Sequence, residues 1–578
     1  MNKEIKICQN CKHEFIIEPE DFDFYEKIKV PAPTFCPECR MQRRMAIRNE
    51  RSLYKDSCDL CGKHMLSIYS PDKPFKVYCR ECWYGDDWDP LSYGMDCDFS
   101  KPFFKQWREL IERVPRINLF LINNIGTEYA NFIVNSKNIY LSYSIVKSED
   151  VYYSRSVDKS KQSFDCFNGQ ELELCYENVD CARNYRSSHL LRSRDCIDSA
   201  FLFDCVNCQN CFMSSNLRNR QYVIRNKQYS KDSYQTEIAR IDSGKAGIIA
   251  ELKKEFSGLM LGSLHKFAQI TKSVDAIGDN LQNVKNAKYT FDAYGVENVK
   301  YLVRGVTNAK DVYDVVGAGI ELAYEGTATG LSGSNLKFFS FMEFNSDVEF
   351  SDWCQSSSHL FACSALRKKS YCIFNKQYSK EEYPNLVSRI VKHMDDMPYT
   401  DKQGRIYKYG EFYPIELLPW AYNETLAQEY FPLTKEQVLE RGYSWREPDP
   451  YPHKPTMQPS DLPDDIKDVQ DSITNEIIGC PDCGRAYRII KPELDFLRAQ
   501  RIALPRKCPD CRHRDRFALR NPINLWHRQC MCDYKIHANT VKHAHHQTGS
   551  CPNEFETSYA PERKETVYCE QCYNAEVV

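Results

Sequence analysis

Seven Cys-x2-Cys pairs mark the two ends of this chain: Cys8/Cys11, Cys36/Cys39, Cys58/Cys61 and Cys79/Cys82 at one, Cys480/Cys483, Cys508/Cys511 and Cys569/Cys572 at the other. Two thiolates at this spacing form a knuckle that supplies half of a tetrahedral zinc site, and two knuckles complete it. The first six pairs predict three four-cysteine sites in chain order. A fourth joins Cys530 and Cys551 to Cys569 and Cys572. The insert between Cys530 and Cys551 carries Cys532, His537, His543, His545 and His546. Cys532 or one of these histidines is therefore an alternative ligand there. Four thiolates close a zinc ion's coordination, whereas catalytic zinc keeps an open position. The reading is four structural zinc ions, with the histidine-rich insert the one place where an open site fits. No P-loop, GxSxG or HExxH motif occurs, which favours a protein that is not an enzyme.

Two further groups invite chemistry. Cys205, Cys208 and Cys211 repeat at three-residue spacing. They are either a metal cluster or, with Cys166, Cys175, Cys181 and Cys196, a stack of small buried side chains. Basic arms follow the knuckles. Residues 36–55 carry six Lys/Arg against two Glu, and residues 506–528 seven against two Asp. Arg40, Arg43, Arg44 and Arg48, and in the other arm Arg512, Arg514, Arg516 and Arg520, are positioned for phosphate contacts, with Tyr54, Phe517 and Trp526 available for stacking. The competing reading is a solvated or salt-bridged surface. On either reading these arginines are expected to be exposed.

Composition sets limits on all of this. The chain of 578 residues is 42% hydrophobic and 27% charged, the profile of a globular protein of several domains. No apolar run reaches the roughly 20 residues of a membrane helix, and no apolar signal core stands near Met1, so the expectation is a cytoplasmic protein with no membrane association. The 28 cysteines then read as reduced thiols rather than disulfides. The formal charge is −3, and ionising sixteen ligand thiols around four divalent ions takes it to −11. Affinity for nucleic acid would have to come from local basic patches.

The elements that position these groups are duplicated. A shift of 472 residues carries Cys8, Cys11, Cys36, Cys39 and Cys58 onto Cys480, Cys483, Cys508, Cys511 and Cys530, and Arg40, Arg44 and Arg48 onto Arg512, Arg516 and Arg520. A shift of 490 carries Cys61, Val77-Tyr78, Cys79 and Cys82 onto Cys551, Val567-Tyr568, Cys569 and Cys572. The boundaries are a first zinc ribbon at 1–55, a second zinc module at 56–90, a third ribbon at 475–528 and a fourth module at 529–578. Such units cannot build a sufficient core, so the metal carries their folding.

The first module has Cys8-x2-Cys11, Phe15, Phe24-Tyr25, Pro33 and Cys36-Pro-Glu-Cys-Arg40 followed by Arg43-Arg44. In this it resembles the small family called "probable zinc-ribbon". Lys12 stands where that pattern has Gly, and Gly484 restores it in the C-terminal copy, where the aromatic pair is Phe496-Leu497. Asn226-Lys-Gln-Tyr-Ser-Lys, Asn375-Lys-Gln-Tyr-Ser-Lys, Tyr422-Asn-Glu-Thr, Glu429-Tyr-Phe-Pro-Leu-Thr-Lys and Gly442-Tyr-Ser-Trp445 extend the likeness to zinc-ribbon proteins of candidate bacterial phyla. The resemblance implies a fold and a metal; it implies no activity.

Between the ends a weak unit recurs at 11 to 12 residues, as in Asn138-Ile-Tyr-Leu, Asp150-Val-Tyr-Tyr, Asn298-Val-Lys-Tyr and Asp347-Val-Glu-Phe. Units this short must stack, which predicts a parallel β-helix-like solenoid with two units and about 23 residues per coil, coils about 4.8 Å apart. The alternative is a set of sandwich strands. Asn and Asp suit the corners because they tolerate left-handed backbone. Leu217 to Tyr234 returns as Leu366 to Tyr383, so the solenoid is duplicated: 118–243 and 276–394, each closed by a helix capped by Ser230 or Ser379. A helical connector at 91–117 with Ser100 as its cap and a helical linker at 244–275 join the parts. A Pro- and aromatic-rich segment fills 395–474, with a short helix opened by Thr434 and an irregular stretch from Glu447 to Pro455.

The expected architecture is mainly β and multidomain: tandem zinc-ribbon or treble-clef modules at both ends of a duplicated β-solenoid with helical caps. Three functions are carried forward. The first is a zinc protein that binds RNA or a ribonucleoprotein through the basic arms. The second is a scaffold whose solenoid binds protein. The third is a β-helix enzyme acting on glycans, for which Arg155, Asp158, Lys159 and Lys161 are the local signal.

Overall fold

The backbone between the end modules turns by left-handed residues at every third position. Asn135, Asn138, Leu141 and Ser144 have φ of 50°, 53°, 43° and 58°, and the same spacing recurs through both central regions. Left-handed backbone costs an L-residue about 1–2 kcal/mol, and the many Asn and Asp at these positions lower that cost. The computed structural model describes residues 2–305, 308–328, 332–450, 453–536 and 539–578. His537 and the Tyr451-Pro452 part of the irregular stretch lie outside them.

The left-handed corners make short strands that alternate between two parallel sheets. Ile125–Glu128, Lys137–Tyr140, Glu149–Tyr152 and Lys161–Phe164 form a four-stranded sheet. Asn131–Val134, Tyr143–Val146 and Arg155–Asp158 belong to an eleven-stranded one. Lys137 stands opposite Glu149 in one sheet, and Tyr143 opposite Arg155 in the other. The chain therefore returns to the same sheet after 12 residues. The expected turn of about 23 residues built from two units is corrected: one unit is one turn. Four left-handed corners redirect the chain within a single 12-residue unit, so a second unit is not needed to bring it back.

Serines line this narrow ladder. Ser136 Oγ donates to the Val134 carbonyl and accepts from the Ser148 N–H; Ser148 does the same for Val146 and Ser160, and Ser160 for Asp158 and Leu172. Each hydroxyl satisfies polar backbone in two successive turns, which matters because an unpaired buried N–H costs about 1–3 kcal/mol. A second ladder, from Ile270–Thr271 to Lys376–Gln377, is again an eleven-stranded sheet, parallel up to its last pair. Both ladders end alike. Gln221–Ile224 pairs antiparallel with Lys227–Gln228, and Ser370–Ile373 with Lys376–Gln377. A helix follows, Lys231–Ala239 or Glu382–Asp396. Ser230 accepts from the Ser233 N–H, and Ser379 accepts from the Glu382 N–H although the N-cap position there is Glu381. Tyr234 packs edge-on to Tyr222, and Tyr383 to Tyr371.

The end modules share one order of elements. A hairpin (Glu4–Ile7 with Glu14–Ile17) leads to helices Pro19–Ile28 and Pro37–Met45, a second hairpin (Tyr54–Ser57 with His64–Ser67) and a short helix Arg80–Tyr84. Its counterpart runs Ile478–Gly479 with Ala486–Tyr487, Lys491–Gln500, Pro509–Ala518, Trp526–Gln529 with Glu554–Thr557, and Glu570–Val577. Lys29 and Arg501, equivalent under the 472 shift, both end their first helix in left-handed conformation, φ 57° and 54°.

Two compact units result, each discontinuous in sequence. One comprises Met1–Phe120 and Ala268–Glu447, the other Leu121–Phe267 and Pro448–Val578. The N-terminal modules thus share a unit with the second ladder, and the C-terminal modules with the first. The connecting helices follow the same exchange. The helix Phe103–Arg113 lies in the first unit, where the Phe103 ring is 5.1 Å from that of Phe350 in the second ladder. The helix Ala246–Gly262 lies in the second unit, with Phe256 at 5.7 Å from Phe201. Two sequence expectations are corrected here. Ser100 does not cap the first of these helices, which begins after Pro102; Ser100 instead hydrogen-bonds Asp98. The 244–275 linker is helical only to Gly262 and then turns to strand at Leu264–Lys266.

Candidate metal centres and the arginines beside them

Each expected four-cysteine set converges. Cys8, Cys11, Cys36 and Cys39 form one group; Cys58, Cys61, Cys79 and Cys82 a second; Cys480, Cys483, Cys508 and Cys511 a third; Cys530, Cys551, Cys569 and Cys572 a fourth, with ligand atoms within 4.8 Å of one another in each. Zn–S bonds of about 2.3 Å place tetrahedral sulfurs about 3.8 Å apart. The sulfur separations are 3.7 Å for Cys11–Cys36, 3.9 Å for Cys61–Cys79, 3.6 Å for Cys483–Cys508 and 4.0 Å for Cys551–Cys569. The donor sets fit tetrahedral metal ions. The sequence forces this locally: a hairpin end presents the first knuckle and a helix N-terminus the second. The backbone N–H that opens the second knuckle donates to the first cysteine in all four: Cys36 to Cys8, Cys79 to Cys58, Cys508 to Cys480 and Cys569 to Cys530, at 3.1–3.3 Å. Burial raises the Cys58 thiol, but N–H donors from Cys79, Cys61 and Leu60 outweigh it and bring it down to about 7. Cys480 falls to about 7 by the same balance. The first knuckle's tight turn needs left-handed backbone after the second cysteine: Gly62 at φ 75° and Gly484 at φ 70° supply it, and Lys12 adopts φ 64° without that freedom.

Cys205, Cys208 and Cys211 sit inside the first ladder with Cys166, Cys175, Cys181 and Cys196. They stand in the serine columns: the Cys205 N–H donates to Ser193 Oγ and the Cys211 N–H to Ser199 Oγ. Each sulfhydryl donates to the carbonyl two residues back. Burial pushes the Cys166 thiol up to about 12 and the Cys372 thiol of the second ladder up to about 11.

The arginine arms differ from expectation. Arg40, Arg43, Arg44 and Arg48 are buried, as are Arg512 and Arg516; the expected exposed arms are corrected. The helices that carry them pack on a ladder, and three of the acid partners, Asp165, Asp314 and Glu325, come from left-handed ladder corners. Asp314, with φ 59°, meets Arg40 at 2.8 Å and Arg44 at 2.9 Å. Asp165, with φ 55°, meets Arg512 at 3.0 Å and also Arg516. Arg43 reaches Glu325 at 3.0 Å and Glu411 at 3.3 Å, and Arg48 pairs with Glu50 at 2.6 Å. Burial works against the charge of Arg40, and Asp314 beside it prevails, raising the guanidinium well above its usual pKa; Asp165 and Glu493 do the same for Arg512. Arg520, half-buried, pairs with Asp180 at 2.9 Å. Arg514 is exposed and donates to Cys511 Sγ at 2.8 Å.

The acids Asp165 and Asp314 escaped sequence reasoning, although a signal was present. They stand 149 residues apart, the spacing that separates Leu217 from Leu366, and each follows an aromatic, Phe164 or Tyr313. Those aromatics are used alike: Phe24 stacks on Tyr313 with centroids 3.8 Å apart, and its equivalent Phe496 stacks on Phe164 at 4.2 Å. A second contact is preserved under the 490 and 149 shifts. Arg367 lies over Trp83 at 5.2 Å, and Arg218 over Tyr573 at 6.0 Å. The residues considered for glycan chemistry do not share one exposed face. Arg155 is buried under cation–π contact with Phe167, and burial raises the Asp158 carboxyl, while Lys159 and Lys161 line an open groove.

No protein-family model matches the chain, and a search of curated proteins finds no match. Among the described residues, no helix is long and apolar enough to cross a membrane.

Proposed function

We propose that the chain is a zinc-pinned scaffold without chemistry of its own. On this reading each ladder is a β-solenoid of 12-residue coils. A pair of zinc-ribbon or treble-clef modules locks each one, and the ladder faces are offered to a protein partner. The many unpaired thiols suit a reducing compartment such as the cytoplasm. One observation carries the proposal: arginines equivalent under the 472 shift are spent, in both units, on buried acids equivalent under the 149 shift. Residues used twice to bind the ladder are removed from phosphate recognition. The test is binding of a mixed RNA pool by the full chain at near-physiological salt after nuclease treatment. The scaffold reading expects no retention.

A second reading has its own support. The first ladder carries an open groove of about 560 Å³ lined by Lys137, Lys147, Lys159 and Lys161 against the single acid Glu149. Lys137 is tied to Glu149 at 2.9 Å and Lys159 lies 4.0 Å from Glu171, and lysines 147 and 159, 12 residues apart, both line the groove. On this reading nucleic-acid or other polyanion contact lies on the ladder rather than on the arms. Retention of RNA by the wild type, lost in Lys147→Glu/Lys159→Glu with a shallower salt slope, would put this reading first.

A further inference from the structure

We propose that the histidine-rich insert builds a fifth metal site beside the fourth cysteine group, with Cys572 as a thiolate shared by two ions. This rests on the reading that the four-cysteine groups hold zinc. Cys532, His543, His546 and Cys572 place one ligand atom each within 4.8 Å of the others. Zn–N bonds of about 2.0–2.1 Å and Zn–S bonds of about 2.3 Å require tetrahedral N···N edges of about 3.3 Å and N···S edges of about 3.5 Å. The separations are 3.3 Å from His543 Nδ1 to His546 Nε2, 3.6 Å from Cys532 Sγ to His543 Nδ1, and 3.3 Å from His546 Nε2 to Cys572 Sγ. Three edges thus match a Cys2His2 tetrahedron, and the other three lie within 4.8 Å.

The surroundings are those of a built site. Cys532 and His543 are fully buried. The far nitrogen of His543, Nε2, lies 2.8 Å from Glu576 Oε1, and the other Glu576 oxygen accepts from the Thr540 N–H and hydroxyl. A carboxylate on the distal nitrogen fixes a ligating histidine's tautomer and orientation, leaving Nδ1 as the lone-pair donor. Asn539 Nδ2 donates to Cys532 Sγ at 3.3 Å, as Asn553 Nδ2 does to Cys569 Sγ in the neighbouring group. Binding displaces the Cys532 thiol proton and involves no redox step. A soft-to-borderline divalent ion, zinc above all, suits two imidazoles and two thiolates. The N-terminal modules lack this site because the insert and its Cys532 have no counterpart between Cys58 and Cys61.

The experiment is native mass spectrometry of the full chain titrated with zinc, together with zinc X-ray absorption. Five ions in the wild type, nitrogen neighbours at about 2.0–2.1 Å, and four ions without those neighbours in Cys532→Ser/His543→Ala/His546→Ala are expected. Four ions in the wild type with sulfur neighbours alone overturn the fifth site and leave the other four standing. Four ions with nitrogen neighbours overturn it too, since a histidine then replaces a thiolate within one site. Fewer than four overturns the four-site reading and this one with it. Should the triple variant fail to fold, the wild-type count and neighbour set decide.

Discussion

The two units make equivalent contacts from differently ordered parts. In the first, modules precede helix and ladder; in the second, ladder precedes helix and modules. Yet Arg40 and Arg44 on Asp314 match Arg512 and Arg516 on Asp165, and Phe24 on Tyr313 matches Phe496 on Phe164. What is preserved is the contact between a helix that begins at a four-cysteine group and a ladder corner, not the order in which the chain supplies it. The units also differ in what surrounds that contact. The first adds the 395–447 segment, whose Glu411 joins Glu325 on Arg43, while Phe35 and Phe412 lie against that guanidinium at 4.3 and 5.7 Å. The position equivalent to Arg43 is Asp515, exposed. The second unit has instead the histidine insert. A common clamp has been reinforced with charge in one unit and with metal ligands in the other.

Removing metal should break both units most. Structural zinc contributes about 10–16 kcal/mol per site in small modules, as much as the whole stability of an ordinary domain, about 5–15 kcal/mol. Chelation of the full chain is expected to abolish cooperative unfolding of the end modules and to lower the ladders' melting transitions as the clamp helices are released. Circular dichroism with metal analysis checks this. Ladder transitions unmoved by complete metal loss would show that the clamps do not stabilise them.

The next largest effect tests whether the two clamps are equivalent. Truncating one partner of a buried ion pair costs about 3–5 kcal/mol because it strands the other charge. Asp165→Asn strands Arg516, whose other partner is the Tyr153 carbonyl, and leaves Arg512 with Glu493. Asp314→Asn likewise strands Arg40, whose other partner is the Phe35 carbonyl, and leaves Arg44 with Glu325 at 3.4 Å. The two substitutions are therefore expected to destabilise their units by similar amounts. Arg44→Glu and Arg516→Glu should likewise destabilise rather than act as silent surface changes, with the larger loss for Arg44→Glu, which sets a new carboxylate against both Asp314 and Glu325 where Arg516→Glu meets Asp165. Thermal shifts of the four variants, read against wild type, test this; a loss in one unit alone from the two Asp→Asn changes would mean that the equivalent acids do not carry equivalent load.

Much of this was legible because covalent spacing fixes it. The cysteine pairs name their own sites, since a knuckle needs two thiols two residues apart and little else. Duplication was legible too, in the 472 and 490 shifts and in the return of Leu217–Tyr234. The length of a ladder turn was not: a recurrence of 11 to 12 residues is compatible with one unit or two per turn, and only the left-handed corners at every third residue, many of them on Lys, Tyr or Leu, decide it. Burial of the arginines was not legible because their acids lie 274 and 347 residues away, as with Arg40 and Asp314, or Arg512 and Asp165. A basic helix reads as surface until its partner is known. The discontinuous units were hidden for the same reason: local sequence says which segments pair with themselves, not which distant ladder each module meets.

The smallest effect is a pH dependence that one ladder has and the other lacks. Glu343, buried in the second ladder, is pushed up to about 7 by burial, against weaker opposing influences from Gln355 and Arg80. The equivalent residue of the first ladder, 149 positions earlier, is Arg194. The folded state holds the Glu343 proton more tightly than the unfolded chain, whose glutamate has the ordinary value of 4.5. Its contribution to stability is therefore fully present below that value and is lost as pH rises toward 7, the reverse of a salt-bridged carboxylate. Glu343→Gln keeps the neutral side chain's shape and cannot ionise. Between pH 5 and pH 8 the wild type should lose about 1–3 kcal/mol relative to Glu343→Gln, allowing for partial relaxation around the charge. Urea midpoints of both proteins at the two pH values measure it. The variant should gain on the wild type at pH 8 and match it near pH 5; a constant offset at both would mean that Glu343 is already ionised in the folded ladder and that Arg80 compensates it fully.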